Sequence, residues 1–233
     1  MPPVHNFNWI SNRSRTQLSD NRCTSSARRA LNLRDMKPFT TLITLTAVLL
    51  VVGCSSNKTG LESIFNGQDL SGWKSNNAVC WQVKDGILHA VNDPEQKGDV
   101  LQTEKAYKNF VFQADFKFGE GRIDTGIFLR DTKEQIQIGE SGSLKRDMTA
   151  LPYIPGKGYP IQVETAQGVF DREGWNTIKV QVAGNTYTTW LNGTEIMTYE
   201  SETIVPQGPI GIQVHPKREM SVDFRNILAQ ELP

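Results

Sequence analysis

From Phe110 to Phe118 the chain alternates without a break: Phe110, Phe112, Ala114, Phe116 and Phe118 share one parity, Val111, Gln113, Asp115 and Lys117 the other. Successive side chains of a strand point to opposite faces, so this pattern predicts a half-buried strand with an aromatic face against a core. A helical period would scatter the same phenylalanines around a cylinder. Two further stretches read as hairpins. Trp81 to His89 carries Asp85-Gly86 between apolar runs, and Tyr187 to Tyr199 carries Asn192-Gly193, both suited to tight turns with positive φ. Strands are also expected at Thr125 to Arg130, Gln135 to Ile138, Thr177 to Val182, Ile210 to His215 and Met220 to Phe224, and no comparable helical period follows residue 60. The predicted class is all-β: a sandwich of two antiparallel sheets, jelly-roll or lectin-like, with a barrel as the alternative.

What holds such a domain together is constrained by its cysteines. Only Cys23, Cys54 and Cys80 are present, an odd and sparse set that makes no disulfide framework, so stability rests on packing. The 25 basic and 25 acidic side chains balance. That balance argues against a strongly basic nucleic-acid binder and against a highly charged disordered chain.

The first part of the chain reads as an export signal. Leu42 to Val52 is an apolar, uncharged run preceded by Lys37 and closed by Val51-Val52-Gly53-Cys54. It is shorter than the roughly 20 residues a membrane-spanning helix needs, and a small residue before Cys suits a signal peptidase. Bacterial lipoproteins have segments similar to this one, which implies a lipid anchor on Cys54 and attachment to a membrane of the cell envelope, periplasmic or at the cell surface. Residues 1–35, with six arginines, are an unusual leader for such a signal, and translation is expected to begin at Met36. The expected organisation is therefore an extension (1–35), a signal peptide (36–54), a tether (55–60) and the β-domain (61–233).

Period two also locates a candidate site. Ile127 and Leu129 take an aliphatic face, which leaves Gly126, Phe128 and Arg130 on the other. Ile136 and Ile138 oppose Gln135 and Gln137, and Ile212 and Val214 oppose Gln213 and His215. These polar sets can share one sheet face, where Arg130, Gln135, Gln137, Gln213 and His215 offer the donors and acceptors that polyhydroxylated ligands require. A solvated outer sheet face has the same pattern. The Gly- and Pro-rich connection from Gly139 to Pro160, carrying Glu140, Tyr153 and Tyr159, is long enough to suggest a functional loop, with a solvated excursion as the alternative. Trp190 is the tryptophan most available to stack on sugar; Trp73, Trp81 and Trp175 are expected mostly inside. No HExxH, GxSxG, phosphate-binding loop or Cys/His metal spacing occurs. A divalent metal is left open as a cofactor, resting on His215 with a carboxylate such as Glu140.

The segment IFNGQDLSGWK (Ile64 to Lys74) resembles the opening of the 3-keto-disaccharide hydrolase family, also described as 3-keto-glucoside 1,2-lyases. Further blocks follow in the same order: WQVKDGILHA (81–90), FVFQADFKF (110–118), TGIFLRD (125–131), GWNTIKVQVAG (174–184), TTWLNGTEI (188–196) and GPIGIQVH with VDFRNI (208–227). The resemblance spans Leu61 to Ala229. It implies a concanavalin-like sandwich and cleavage, by hydrolysis or elimination, of disaccharides or glucosides oxidised at carbon 3. A ketone there acidifies the proton on carbon 2, so the site needs a base, an enolate stabiliser and a leaving-group acid. Matching positions carry over Arg130, Gln137 and His215 as candidates, and the resemblance assigns none of their roles; His215 is expected as base or metal ligand, Arg130 as substrate or oxyanion partner, and Glu140 as an acid or ligand. Asp124, Gln135, Gln137, Gln213, Tyr153 and Trp190 are the expected substrate-binding residues. Where family members often carry Asn-Ser-Gly and an acidic residue, this chain has Asp124-Thr125-Gly126 and Gln135. The amide removes a proton acceptor and a hard metal ligand while keeping hydrogen-bonding capacity, which weighs on catalysis more than on sugar binding. Two other functions fit the same sequence: a non-catalytic carbohydrate-binding lipoprotein, and a structural lipoprotein of the envelope.

Overall fold

A computed structural model describes residues 60–163 and 168–233. The expected signal peptide, Cys54 and nearly all of the tether lie outside them. Among the described residues no helix is long and apolar enough to cross a membrane.

In chain order the strands are β1 (Glu62–Ser63), β2 (Trp73–Lys74), β3 (Trp81–Lys84), β4 (Ile87–Val91), β5 (Asp99–Thr103), β6 (Phe110–Gly121), β7 (Asp124–Leu129), β8 (Gln135–Gly139), β9 (Pro152–Tyr153), β10 (Asn176–Ala183), β11 (Thr186–Leu191), β12 (Thr194–Glu200), β13 (Ile210–Val214) and β14 (Met220–Glu231). They form two antiparallel sheets. The larger runs β12-β11-β10-β6-β14-β4-β3, with β1 added on β14; the smaller runs β2-β5-β13-β7-β8-β9. The fold is the expected all-β sandwich.

The phenylalanine alternation sits at the centre of the larger sheet. Phe110, Phe112, Ala114 and Phe116 are fully buried and face Ile127, Leu129, Ile136, Ile138 and Ile212 from the smaller sheet. Each buried aromatic or branched side chain contributes about 1.5–3 kcal/mol, which is where a domain without a disulfide framework finds its stability. Both hairpins form, with Asp85-Gly86 and Asn192-Gly193 at positive φ. β14 outruns its predicted span because Asn226, at φ 49, makes a bulge that restores pairing from Leu228 onward.

The sheets are also joined by polar clamps. Asp99 on β5 accepts from Trp81 Nε1 on β3 (2.8 Å) and from Ser75 Oγ (2.6 Å). Asp93 accepts from the N–H groups of Glu95 and Lys97 and from Asn77 Nδ2. Burial alone would raise both carboxyl pKa values, but these donors outweigh it and hold them below the ordinary 3.8. Cys80 packs against Asp93 as a buried free thiol, its pKa pushed up to about 11 chiefly by burial.

Candidate functional site

The middle of the smaller sheet carries the site. In the β7–β8 register, Phe128 pairs with Gln135, Gly126 with Gln137 and Asp124 with Gly139. Residues of this parity point away from the aliphatic core. An outer sheet face of this kind is normally wet, yet every residue of β7 and β8 is buried. The chain after β8 returns beside the face, so that Ser141, Tyr153, Pro155 and Tyr159 join it in lining an open cavity of ≈ 470 Å³. The Gly139-to-Pro160 connection is thus not structureless, although residues 143–147 and 155–157 are exposed: β9 adds to the sheet edge, and Glu140–Asp147 and Ile154–Gly158 bridges brace the loop.

A directed chain of hydrogen bonds lines the floor. Arg218 Nε donates to Asp124 Oδ2 (3.3 Å), Gln137 Nε2 to Asp124 Oδ1 (2.9 Å), and Gln135 Nε2 to Gln137 Oε1 (3.0 Å). The carboxylate only accepts, so Gln137 must turn its NH₂ toward it; that leaves its carbonyl for the NH₂ of Gln135. The carbonyl of Gln135 is left over. Gln135 Oε1 and Gln213 Oε1 are both buried and accept no hydrogen bond from the described residues. Buried polar atoms without partners are rare, because each forfeits the full cost of its desolvation.

His215 lies where β13 ends, half-buried on the cavity wall. Its Nδ1 is 2.6 Å from the Pro216 carbonyl oxygen. A carbonyl cannot donate, so the proton of a neutral ring sits on Nδ1 and Nε2 keeps its lone pair. Burial pushes the Tyr159 phenol up to about 12, helped by the Asp124 charge and against a hydrogen bond with Ser141, so this hydroxyl stays protonated. Glycines shape the floor. A Cβ at Gly126 would stand 2.7 Å from the Ile136 carbonyl and 3.2 Å from Gln135 Cδ, and one at Gly142 would stand 2.6 Å from Arg218 Nη2.

The structure therefore brings Asp124, Gln135, Gln137, Gln213, Tyr153 and His215 to one cavity. Three expected residues are elsewhere. Arg130 has φ 65, which ends the alternation and turns its buried guanidinium to the carbonyls of Gly184 (2.8 Å) and Val205 (3.0 Å); burial also lowers its pKa. It ties the exit of β7 to the β10–β11 turn. Glu140 follows Gly139, at φ 90, and pairs with Arg122 outside the cavity lining. Trp190 is on the larger sheet, with Lys179 Nζ 3.9 Å over its ring. The expected His215–Glu140 metal pair does not line one cavity, and among the described residues no group of three His, Cys, Asp or Glu could hold a metal ion.

Arg218, Ser141 and Lys133 line the cavity without having stood out in sequence. Arg218 sits past the Pro216-Lys217 turn, where the strand period has lapsed; a basic cluster at the tip between two strands is the only signal it leaves. A second cavity, of ≈ 510 Å³, is lined by residues including Arg146, Asp147, Met148, Leu151, Phe170 and Arg172. Its Arg172 is paired with Asp147 at 3.1 Å, and none of the partnerless buried atoms is there.

Residues 60–229 match the family model of the 3-keto-alpha-glucoside-1,2-lyase-like domain. The chain belongs to that family. Two crystal structures of Parabacteroides distasonis ATCC 8503 proteins proposed to be glycosyl hydrolases share the fold of this lyase-like domain. One is 19% identical, with a TM-score of 0.56 over 75% of this chain and 94% of the other. The second is 22% identical, with a TM-score of 0.55 over 74% of this chain and 100% of the other. No curated protein sequence matches the chain. Membership makes the lyase-like domain carbohydrate-active.

Proposed function

We propose that the protein cleaves 3-keto-glucosides by removing the proton on carbon 2 and expelling the group on carbon 1. The observation that carries this reading is the Nε2 of His215, left with its lone pair by the Nδ1 contact, on the wall of a cavity whose floor holds buried acceptors without partners among the described residues. His215 takes the carbon-2 proton, acidified by the adjacent ketone, and the charge that builds on the ketone oxygen faces the Arg218 guanidinium. Collapse of the enolate forms the carbon-1–carbon-2 double bond and breaks the bond to the glycosidic oxygen. The imidazolium returns its proton to that oxygen. Atoms and charge balance without a co-reactant: the products are the free alcohol and an unsaturated keto sugar, and later addition of water to the double bond would make the net outcome hydrolysis. Glu140 and Arg130 have no part in this scheme.

A second reading, sugar binding without turnover, has one observation in its favour. Among the described residues Asp124 is the cavity's only carboxylate, and its oxygens are engaged by Gln137 and Arg218. The test is release of a chromogenic alcohol from its 3-keto-glucoside against the unoxidised glucoside, with and without divalent metal. Turnover of the keto sugar alone supports the lyase reading; binding without release supports the module.

The working location we propose is the cell envelope, with the domain held to a membrane by lipid on Cys54, on the strength of the apolar run and its Gly53-Cys54 end. Metabolic labelling with a fatty acid should mark the wild type and not Cys54→Ser. Label on both would remove the anchor from this residue.

A further inference from the structure

The two partnerless amide oxygens deepen the proposed function and rest on it. Gln135 is 4% exposed, and its Oε1 is fixed outward by the donor chain that ends on Asp124. Gln213, on β13, contributes its own buried Oε1 to the same cavity. The β13–β7 register pairs Ile212 with Ile127; carried one residue further it sets Gln213 opposite Gly126, and Gly126 in turn pairs with Gln137. The floor between the two amides is thus a glycine, and the Gln135 side chain already lies across it, close enough that a Cβ there would press on its amide. Two acceptors consequently flank one hollow with no side chain between them.

An oxygen of this kind can be satisfied only by a group that donates. Hydroxyls donate; a ketone, an ether or an ester oxygen does not, and would place lone pair against lone pair. We propose that Gln135 and Gln213 are the specificity-determining pair of the cavity. They require two free hydroxyls on the bound ring, and they seat that ring with its ketone turned away from them toward the N–H groups of Arg218. The ligand class follows: a keto sugar with uncapped hydroxyls, in preference to O-methylated or O-acylated relatives.

The experiment uses the whole protein and methyl 3-keto-glucoside, with its monodeoxy and mono-O-methyl derivatives, in calorimetric titrations of wild type, Gln213→Met and Gln135→Met. Gln213→Met keeps side-chain volume and removes an oxygen that accepts no hydrogen bond from the described residues, so its melting temperature should hold or rise as a partnerless buried acceptor disappears. Its affinity for the parent sugar should fall about tenfold, and one deoxy sugar that wild type rejects should now bind as well as the parent. Gln135→Met should lose discrimination at a different hydroxyl. Unchanged affinity and unchanged ranking of the sugars in both folded variants would overturn the seating while leaving the cleavage reading intact. Failure of wild type to bind any of these sugars would overturn both.

Discussion

The two outer sheet faces of this domain are written in the same alternating code and have become different surfaces. On the larger sheet the outward side chains pair with one another in the open: Lys179 lies over Trp190, Arg225 over Trp175 at 4.0 Å, and His89 Nδ1 meets Asp223 at 2.7 Å. On the smaller sheet the outward row lines a cleft bounded by the Ser141-to-Tyr159 segment, and two of its buried oxygens are left without partners among the described residues. Polarity alone does not distinguish a binding face from a wetted one. Polarity that is buried and incompletely satisfied does, because water no longer makes up the difference.

Substitutions on the two faces should separate them. The largest effect is expected from His215→Ala, which should lower turnover of a 3-keto-glucoside by about 10²–10⁴-fold with little change in melting temperature, as measured by steady-state kinetics beside thermal denaturation. Trp190→Ala on the other face should leave turnover within about twofold, since it makes no contact with the cavity. Gly126→Ala should cost about 1–3 kcal/mol in urea denaturation and weaken sugar binding as well, because the new methyl group collides with the Ile136 carbonyl and crowds Gln135.

Asp99→Asn tests the frame beneath both faces, and should cost about 1 kcal/mol at neutral pH by weakening the donors from Trp81 and Ser75. Its effect has a sign in pH. Folding lowers the Asp99 and Asp93 pKa values, so the folded protein binds fewer protons than the unfolded chain. That stability is present above the ordinary value of 3.8 and drains as pH falls through the folded values. Acid denaturation profiles of wild type and Asp99→Asn should converge on the acid side. The smallest effect belongs to Lys179→Ala, about 0.5 kcal/mol, as a half-buried cation over a ring on an outer face is worth little.

The fold was legible wherever the alternation was long. Phe110 to Phe118 and the Asp-Gly and Asn-Gly turns announce the larger sheet, whereas β5, with the mixed sequence DVLQT, and the two-residue β9 carry too little periodicity to see. The site was legible in the same way and to the same limit. Gln135, Gln137 and Gln213 sit inside strands, where parity holds. Arg130 and Glu140 sit at strand ends, where a left-handed residue at Arg130 itself or at Gly139 resets the direction of the next side chain. Extending period two across Arg130 puts it on the wrong side, whereas Glu140 was expected from its place in the Gly139-to-Pro160 loop and not from parity. Arg218 lies beyond any period, and only the folded hairpin tip brings it to Asp124.

The most direct test of the contrast between the two faces is an NMR titration of the protein with methyl 3-keto-glucoside, following side-chain amide and indole N–H signals together. Ligand-dependent shifts in the amides of Gln135, Gln137 and Gln213, with the indoles of Trp175 and Trp190 unmoved, are the predicted result. Shifts confined to those two indoles, with the glutamine amides unchanged, would place the sugar on the open sheet and contradict the account.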